Sequence, residues 1–356
     1  MTQNNKSQAA DQRQPKQSPS PERMVSLKQL AAHLGLNPAT VSVVLNDVPG
    51  RSIPQITRDR IKAAARELNY QPNLLARSLR SRRTLTIGIL VPELGVGYHT
   101  QVMSGIGDQL IRAGYFYFTA HHRHQHRLVE NYTRMLIGRG AQGIIAIDTL
   151  LEHPLPVPVV AVAGHRRLAG VTNVTLDHAR AAELVLTHLY SLGHRHIAFM
   201  RGQPFSADSD ERFRHLEQTA ERLGFPIDPD LVVHLDRDTT SPELGYPVVQ
   251  QLLASGKPFT ALVAFNDISA IGAIRALRDV NLSVPEDVSV VGFDDILVAS
   301  FVSPRLTTIN QSLEEIGRIA TQSLLNRIHQ TEQPADEILV LPELIVREST
   351  GPVRNI

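Results

Sequence analysis

The sequence contains no cysteine and no tryptophan among its 356 residues, and only 5% of them are aromatic. A chain without cysteine can form no disulfide framework, no thiolate zinc site and no cysteine nucleophile. Its longest apolar stretches, 85–92 and 157–163, are far shorter than the roughly 20 residues that cross a bilayer. Residues 1–23 are polar and lack the apolar segment of a signal peptide. We therefore expect neither a disulfide scaffold nor a membrane or secreted protein.

Charge is distributed unevenly along the chain, although the net charge is only +1. Residues 24–84 hold ten Lys and Arg against three Asp and Glu, whereas residues 85–356 carry a net charge of −8. A small basic module joined to a larger acidic one indicates a polyanion as the partner of the first module. On charge alone, a solvated charged surface explains the pattern equally well.

Three short helical patterns follow the polar N-terminal tail. Ser26 opens the first with a capping box, and Gly35 ends it. Asn37 and Pro38 then supply the N-cap and the first-turn proline of a second helix. A third helix is predicted over about 54–68. Two helices joined by a short turn that contains glycine are the geometry of a helix-turn-helix, whose second helix enters the major groove of DNA.

From residue 85 onward, short and almost uninterrupted apolar runs alternate with amphipathic helical segments. Strands without polar alternation are buried on both faces, which is typical of parallel sheets covered by helices. The predicted fold class is an all-α helix-turn-helix head followed by a doubly wound α/β core. The predicted strands cover 85–91, 115–120, 143–147, 157–162, 197–200, 231–235, 261–265 and 288–293.

Motifs that would indicate an enzyme or a metal site are weak. The segment 95–100 imitates a dinucleotide-binding loop but lacks the third glycine and the acidic residue about twenty positions later. Histidines crowd the segment 121–126, yet no carboxylate lies nearby in the sequence, and we interpret them as solvated. Asp294 and Asp295 are adjacent, so that on a strand they point to opposite faces rather than forming an acid–base pair. We predict no catalytic residue, no cofactor and no metal.

The strings VSLKQLA at 25–31 and ATVSVVLN at 39–46 closely resemble the DNA-binding head of the LacI/GalR family of bacterial transcriptional regulators. The resemblance continues through the rest of the chain and leaves only the tail of residues 1–23 outside it. Several long motifs in the right order make the match specific. The further motifs lie at 57–61, 68–73, 76–80, 192–198, 266–267, 284–295 and 306–309.

The resemblance implies a cytoplasmic repressor that binds a palindromic operator as a homodimer. A small molecule, expected to be a sugar or sugar derivative, would switch it from the cleft between two subdomains like those of periplasmic sugar-binding proteins. The alternative is a sugar-binding receptor or chemosensor without a DNA role, but such a protein would lack the basic head. The expected organisation is a disordered tail at 1–23, a helix-turn-helix domain at 24–72, a hinge helix and linker at 73–84, and a core at 85–356 whose chain crosses between subdomains near 163, 293 and 329.

The resemblance assigns DNA contacts to the head and to the hinge helix. Leu79 matches the leucine that wedges into the minor groove, where unstacking is offset by a better-wrapped site. The recognition positions Pro38, Ala39 and Val43 carry no hydrogen-bonding side chain, so that they can read only thymine methyl groups. Arg51, in a loop longer than usual, is a candidate for a missing contact, with a solvated arginine as the alternative. The complete set is Ser26, Pro38, Ala39, Thr40, Ser42, Val43, Asn46, Arg51, Tyr70, Asn73, Arg77 and Leu79.

For the effector, Arg212 matches the family's ligand-contacting arginine and Asp294 its aspartate at a strand end. A planar donor that faces a carboxylate suits a polyhydroxyl ligand, with a salt bridge that binds no ligand as the alternative. His215 stands where the family usually has glycine, which predicts a reshaped pocket. Because the C-terminal segment carries no leucine heptad, we expect a dimer rather than a tetramer. The complete set is Tyr98, His99, Phe205, Arg212, Asn266, Asp267 and Asp294.

Overall fold

The computed structural model of the protein describes most of the chain, in two compact units that meet between Arg82 and Arg83. The boundary falls inside the segment 73–84 that the sequence suggests as a linker. The described residues are 25–47, 51–71, 83–95, 97–164, 166–203, 206–225, 227–235, 244–331 and 335–354.

In its described part, the first unit consists of helices α1 (Leu27–Leu34), α2 (Pro38–Leu45) and α3 (Gln55–Glu67). Local chemistry sets their ends. The Ser26 hydroxyl accepts a hydrogen bond from a first-turn N–H of α1, and Gly35 ends that helix with φ 65°, a conformation that glycine adopts without strain. The buried core of the unit is formed by Leu30, Ala31, Leu34, Val41, Val44, Ile61, Ala64 and Ala65.

The second unit alternates strands with helices, as the apolar runs predict. In chain order its elements are β1 (Thr86–Val91), α4 (Tyr98–Arg112), β2 (Phe116–His121), α5 (His126–Gly138), β3 (Gly143–Ile147), β4 (Val159–Val162), β5 (Val171–Leu176), α6 (His178–Ser191), β6 (Ile197–Arg201), α7 (Ala207–Arg222), β7 (Val232–His234), α8 (Gly245–Ala254), β8 (Ala261–Val263), α9 (Asp267–Asp279), β9 (Ser289–Asp294), β10 (Thr307–Asn310), α10 (Leu313–His329), β11 (Glu337–Val340) and β12 (Glu343–Ile345).

These strands form two six-stranded sheets, each the centre of one subdomain. The first has the order β11-β5-β4-β3-β1-β2, and all its neighbouring strands are parallel. The second has the order β12-β10-β9-β8-β6-β7, and only the edge strand β12 is antiparallel to its neighbour. The predicted fold class, an α-helical head followed by a doubly wound α/β core of two subdomains, is confirmed.

The chain crosses between the subdomains where consecutive elements join different sheets. It leaves the first sheet after β5, at Asp177, and returns after β10, at 311–312, because α10 packs on the first sheet. It crosses again at 341–342, between β11 and β12. The crossings expected near 163, 293 and 329 were each placed too early.

The misplacement has a physical cause in the strands next to the crossings. The predicted strands correspond to β1–β4 and β6–β9, which are rich in apolar residues, whereas β5, β10, β11 and β12 were not recognised. Thr172, Asn173 and Thr175 interrupt β5, and Thr307 and Thr308 begin β10, so that neither reads as an apolar run. Within the described residues, no helix combines the length and the apolarity that a membrane span requires.

Close helix packing in the first subdomain fixes the start of α4. At Gly105 a side-chain carbon would lie 1.9 Å from the backbone oxygen of Glu314, so that only glycine lets α4 approach α10 this closely. Gly317 on α10 makes the reciprocal approach to the backbone at Val102. The N-terminus of α4, which carries Tyr98 and His99, is therefore held rigidly at the carboxyl end of β1.

Candidate functional site

Helix α2 of the first unit presents one face to solvent. Val41 and Val44 are fully buried in the core of the unit, whereas Pro38 and Ala39 are exposed and Thr40, Ser42 and Val43 are partly exposed. The five side chains assigned to DNA contact therefore lie in the first turn of this helix or on its outward face. This is the part of a recognition helix that reaches base edges.

Three other residues assigned to DNA contact make contacts within the head. The Ser26 hydroxyl bonds to Gln29 of the capping box, and Asn46 Nδ2 donates to the backbone oxygen of Ser42 at 2.7 Å. Tyr70 is partly buried against the core, and this burial raises the pKa of its hydroxyl. These contacts stabilise the head itself.

The exposed side chain of Arg51 lies ahead of α3, and its backbone oxygen accepts a hydrogen bond from Arg58 Nη2 at 3.4 Å. The assigned hinge residues Asn73, Arg77 and Leu79 lie outside the described residues, as does Phe205 of the effector set.

In the second unit, the remaining effector residues lie at the carboxyl ends of strands from both sheets. Tyr98 and His99 follow β1, whereas Asp294 ends β9 and Arg212 lies on α7. The two subdomains touch at this point, because a side-chain carbon on Gly97 would lie 3.7 Å from Ile296 Cγ2 of the other subdomain. The set is thus assembled in a cleft between the subdomains.

Tyr98 marks the centre of this cleft. Burial raises the pKa of its hydroxyl well above its usual value, and the carboxylates of Asp208, Asp148 and Asp294 raise it further, while Arg212 opposes them. The Tyr98 hydroxyl therefore interacts electrostatically with carboxyl groups of both subdomains. Such convergence at the ends of parallel strands is where open α/β folds bind ligands.

Arg212 is buried, with 8% of its side chain exposed, and its partners are not those expected. Its guanidinium donates to Asp208 Oδ2 at 2.7 Å and to the backbone oxygen of Phe265. The guanidinium carbon also lies 3.6 Å from the ring centre of Phe293, a cation–π contact. The expected partner of Arg212 was Asp294, whereas Arg212 pairs with Asp208, one helical turn earlier on α7.

The Asp208 carboxylate forms hydrogen bonds with two basic side chains. His178 Nε2 lies 2.9 Å from Asp208 Oδ1, while Arg212 binds the other oxygen. Burial alone would raise the pKa of Asp208, but His178 and Arg212 outweigh burial and hold the pKa well below its usual range. The carboxylate is ionised at neutral pH.

Two further carboxyl groups are buried side by side in the second subdomain. Burial, together with the neighbouring Asp267, raises the pKa of Asp294 well above its usual value. Burial also raises the pKa of Asp267 to about 7, against the hydrogen bonds it accepts from Thr308 and from the backbone of Ile296. Asp294 Oδ1 accepts a hydrogen bond from Gln311 at 2.5 Å. The group that faces the cleft is Asp294.

Asn266 and Asp267 are both engaged within the second subdomain. Asn266 Oδ1 accepts from Ser269 N at 2.8 Å and caps α9. Asp267 is fully buried and ties the segment after β9 to β10 through Ile296 and Thr308. These bonds position the cleft wall.

The histidine-rich segment after β2 is not uniformly solvated, contrary to our interpretation. His122 is buried, and its Nε2 lies 2.8 Å from Thr149 Oγ1. His124 Nε2 lies 3.8 Å from Asp148 Oδ2, and His99 Nε2 lies 3.4 Å from the same oxygen. Among the residues the structure describes, no group of three or more potential ligands is arranged to hold a metal ion.

Sequence reasoning missed Asp148, His178 and Asp208 as cleft residues. Asp148 follows β3 and His178 follows the crossing at Asp177, so that their positions after strand ends were a usable signal. For Asp208 the signal was its spacing of four residues from Arg212, which places both on one helix face.

Asp208 and His178 also line a cavity of about 430 Å³ between the subdomains. Its other wall belongs to the first subdomain and includes Arg166, Arg167 and Glu337. His215, the departure from the family's usual glycine, lines the same cavity, and its Nε2 lies 3.2 Å from Glu211 Oε1. The reshaping expected at His215 therefore concerns this cavity.

Two known protein families match this chain, one in each of its two units. Residues 26–73 match the bacterial regulatory proteins of the lacI family, and residues 186–350 match the periplasmic binding protein-like domain. The HTH-type transcriptional repressor PurR of Haemophilus influenzae is 32% identical over 342 residues, covering 93% of this chain and 100% of that protein. The HTH-type transcriptional regulator RegA of Clostridium saccharobutylicum is 32% identical over 333 residues, covering 91% and 99%.

Solved structures agree with these relatives. The lac repressor dimer bound to operator and the anti-inducer ONPF superimposes with a TM-score of 0.83 at 26% identity, covering 92% of this chain and 100% of that chain. The transcriptional regulator CelR in complex with cellobiose gives a TM-score of 0.66 at 28% identity, covering 91% and 99%. The chain belongs to the lacI family of bacterial regulatory proteins.

Proposed function

We propose that this protein is a transcriptional repressor that binds a palindromic operator as a homodimer and is switched by a small molecule in the cleft between its two subdomains. The observation that carries the proposal is the convergence of buried polar side chains from both subdomains around Tyr98. A cleft built in this way binds ligands, and the separate basic head supplies the surface that binds DNA.

The exposed face of α2 supports a particular mode of DNA reading. Pro38, Ala39 and Val43 offer only apolar groups, which contact thymine methyls in the major groove. Thr40 and Ser42 offer hydroxyls that suit phosphate contacts. Such contacts fix the register of the helix on the DNA but do not distinguish one base from another. Specificity then depends on methyl contacts and on the deformability of the operator centre, where Leu79 is expected to insert.

Two apolar patches on the second unit support a homodimer. The first lies in the first subdomain, at the edge strand β2 and the end of α4, where 61% of Phe116 is exposed. The other lies in the second subdomain, just after β9, where 77% of Phe301 is exposed. Apolar patches of this kind mark protein–protein contact surfaces. Their members are Ile111, Phe116 and Phe118 in the first patch, and Leu297, Val298 and Phe301 in the second.

Because each subdomain contributes one patch, a two-fold interface would span both subdomains. An effector that binds one arrangement of the subdomains more tightly shifts the population toward it and moves the two patches relative to each other. The dimer interface is in this way the element through which the cleft can influence operator binding. We expect the effector to be a polyhydroxyl compound, as is the cellobiose held by CelR.

Selection of operators from random-sequence DNA tests the proposal directly. The full chain is incubated with a random library, bound DNA is amplified over several rounds, and the enriched sites are titrated in gel shifts. We expect an enriched palindrome and one dimer bound per site. Binding without sequence preference, or enrichment of single half-sites by a monomer, would contradict the proposed function.

A further inference from the structure

The charge of Arg212 is balanced inside the protein. Both of its terminal nitrogens already donate, one to the Phe265 carbonyl and the other to Asp208 Oδ2 at 2.7 Å. Phe293 covers one face of the guanidinium at 3.6 Å. An arginine that anchors a phosphate or carboxylate offers an uncompensated charge and a free fork of donors. The charge of Arg212 is compensated, and both of its terminal nitrogens are engaged.

Asp208 is responsible for this balance. It is ionised, because His178 and Arg212 hold its pKa well below the usual range against the effect of burial. An ionised carboxylate can only accept, so that His178 Nε2, at 2.9 Å, carries the proton of that hydrogen bond.

Two buried polar atoms beside Asp208 have no hydrogen-bond partner among the described residues. These are His178 Nδ1 and Arg212 Nε, on side chains that are 5% and 8% exposed. Buried polar atoms without partners are costly, so that a molecule which satisfies them is favoured. Nε of an arginine can only donate, so that an acceptor oxygen matches it. A hydroxyl or an amide of an uncharged ligand supplies such an oxygen.

Two further carboxyl groups lie near the Arg212–Asp208 pair. Asp148 and Asp294 act on the same buried Tyr98 hydroxyl as Asp208 does, and all three raise its pKa after burial has done so. A negative charge placed here by a ligand would be desolvated close to the ionised carboxylate of Asp208. A protonated amine would instead be attracted to it.

Two arginines at the rim of the cavity do not reverse this preference. Arg167 is 81% exposed and pairs with Glu337 at 2.8 Å, and Arg166 is exposed as well. Exposed charges are screened by water and salt and contribute little to binding energy.

We propose that Asp208 determines the charge specificity of the effector site: by neutralising Arg212 it makes the cleft accept uncharged or amino-bearing ligands and reject phosphorylated and carboxylated ones. This proposal rests on the proposed function only in placing the effector in this cleft. Asp208 acts through Arg212 and His178. Without the Asp208 carboxylate, the charge of Arg212 is uncompensated and can bind an anion.

Inorganic phosphate is the probe for the first test, because it needs no knowledge of the effector. Thermal unfolding of the full chain is followed against phosphate at constant ionic strength for wild type, Asp208→Asn and Asp208→Asn/Arg212→Gln. Asp210→Asn is the matched control, since it removes the same charge from the same helix at an exposed position. We expect phosphate to stabilise Asp208→Asn at concentrations at least tenfold below those needed by wild type and Asp210→Asn, and the double variant to lose this gain. Equal responses of wild type and Asp208→Asn would overturn the proposal.

Ligand pairs on the wild type provide a second test that does not depend on the variants folding. The pairs are glucose or glucosamine against glucose 6-phosphate and glucuronate, ribose against ribose 5-phosphate, and adenine against adenosine monophosphate. We expect the uncharged or amino-bearing member to stabilise more in at least one pair and the anion in none. An anion that stabilises as well as or better than its partner, or equal behaviour of all pairs, contradicts the assignment. Gel shifts with the selected operator are run in parallel, so that loss of specific DNA binding refutes the proposed function and leaves the charge comparison intact.

Discussion

The head and the cleft differ in where in the sequence their functional side chains come from. The side chains assigned to DNA contact on α2 come from one continuous helix, and the residues between them fill a small apolar core. The cleft, in contrast, draws its side chains from strand and helix ends far apart in the sequence, such as Tyr98, Asp148 and Asp294. The outward face of α2 offers few polar groups to a partner, whereas the cleft buries several charged ones.

This difference has energetic consequences. A small unit depends on each buried apolar side chain, because its core is limited. The described part of the larger unit has four buried apolar clusters to support buried carboxyl groups such as Asp267 and Asp294, whose raised pKa values report the cost of charging them. We therefore expect the two units to respond to different kinds of substitution, and each prediction below separates them.

The largest expected effect is on the head. Leu30 is completely buried among the three helices, so that Leu30→Ala should destabilise the head by about 3 kcal/mol and abolish specific operator binding. The thermal transition of the second unit should not change. Ile56→Ala, at a position 79% exposed in the same unit, is the matched control and should change head stability by less than about 0.5 kcal/mol. A shared loss of both transitions in Leu30→Ala would break the separation of the units.

The next effect concerns operator binding without loss of fold. Leu79→Ala should leave both units folded but weaken operator binding by about 2 kcal/mol, because the wedge that opens the central step is removed. Operator titration in gel shifts measures the change, and circular dichroism checks the fold. Identical titration curves for the variant and wild type would remove this role from Leu79.

A pH-dependent effect is expected only in the second unit. The pKa of Asp294 is raised in the folded state, so that its protonated form stabilises the fold and that contribution is lost as pH rises through the folded pKa. The pKa of the neighbouring Asp267 is raised from 3.8 to about 7, so that the stability of the second unit should fall as pH rises from about 4 to 7. Asp294→Asn keeps an acceptor for Gln311 and removes one charge. It should therefore stabilise the second unit at pH 8 by about 1 kcal/mol or more and flatten the pH profile.

Unfolding of the second unit is measured from pH 4 to 8 in wild type, Asp294→Asn and Asp210→Asn. The exposed Asp210 provides the control for a simple change of net charge. A profile of Asp294→Asn parallel to that of wild type would show that Asp294 is not the titrating group.

The smallest effect tests how α2 reads DNA. Replacing single half-site thymines by uracil deletes only a methyl group and should cost about 1 kcal/mol at one or two positions per half-site. The measurement is a titration of substituted operators. If no thymine shows a methyl effect while substitution at guanine N7 does, another side chain reads the bases, and Arg51 is the first to test.

The sequence predicted the strands in which apolar residues follow one another. The strands β1–β4 and β6–β9 are short and mainly apolar, and the pattern identified them. The strands β5 and β10, which carry Thr172, Asn173, Thr307 and Thr308, escaped because polar residues in a buried strand are satisfied by contacts that periodicity cannot show. The crossings were misplaced for that reason.

The sequence predicted some of the cleft residues but not how their side chains pair. The resemblance brought Tyr98, Arg212 and Asp294 into one cleft, and the structure places them together. It could not show that Arg212 binds Asp208, because a partner is decided by side-chain geometry rather than by the presence of both residues. Asn266 likewise has the right position, but its side chain caps α9.

Coupling between the cleft and the operator is the central claim, and one measurement tests it most directly. Operator titrations are run for wild type and Arg212→Gln, each without and with the uncharged compound that stabilises wild type most. We predict equal operator affinity for the two proteins without the compound, and a shift of at least fivefold on adding it to wild type alone. A shift of the same size in Arg212→Gln, or no shift in wild type, would contradict the account.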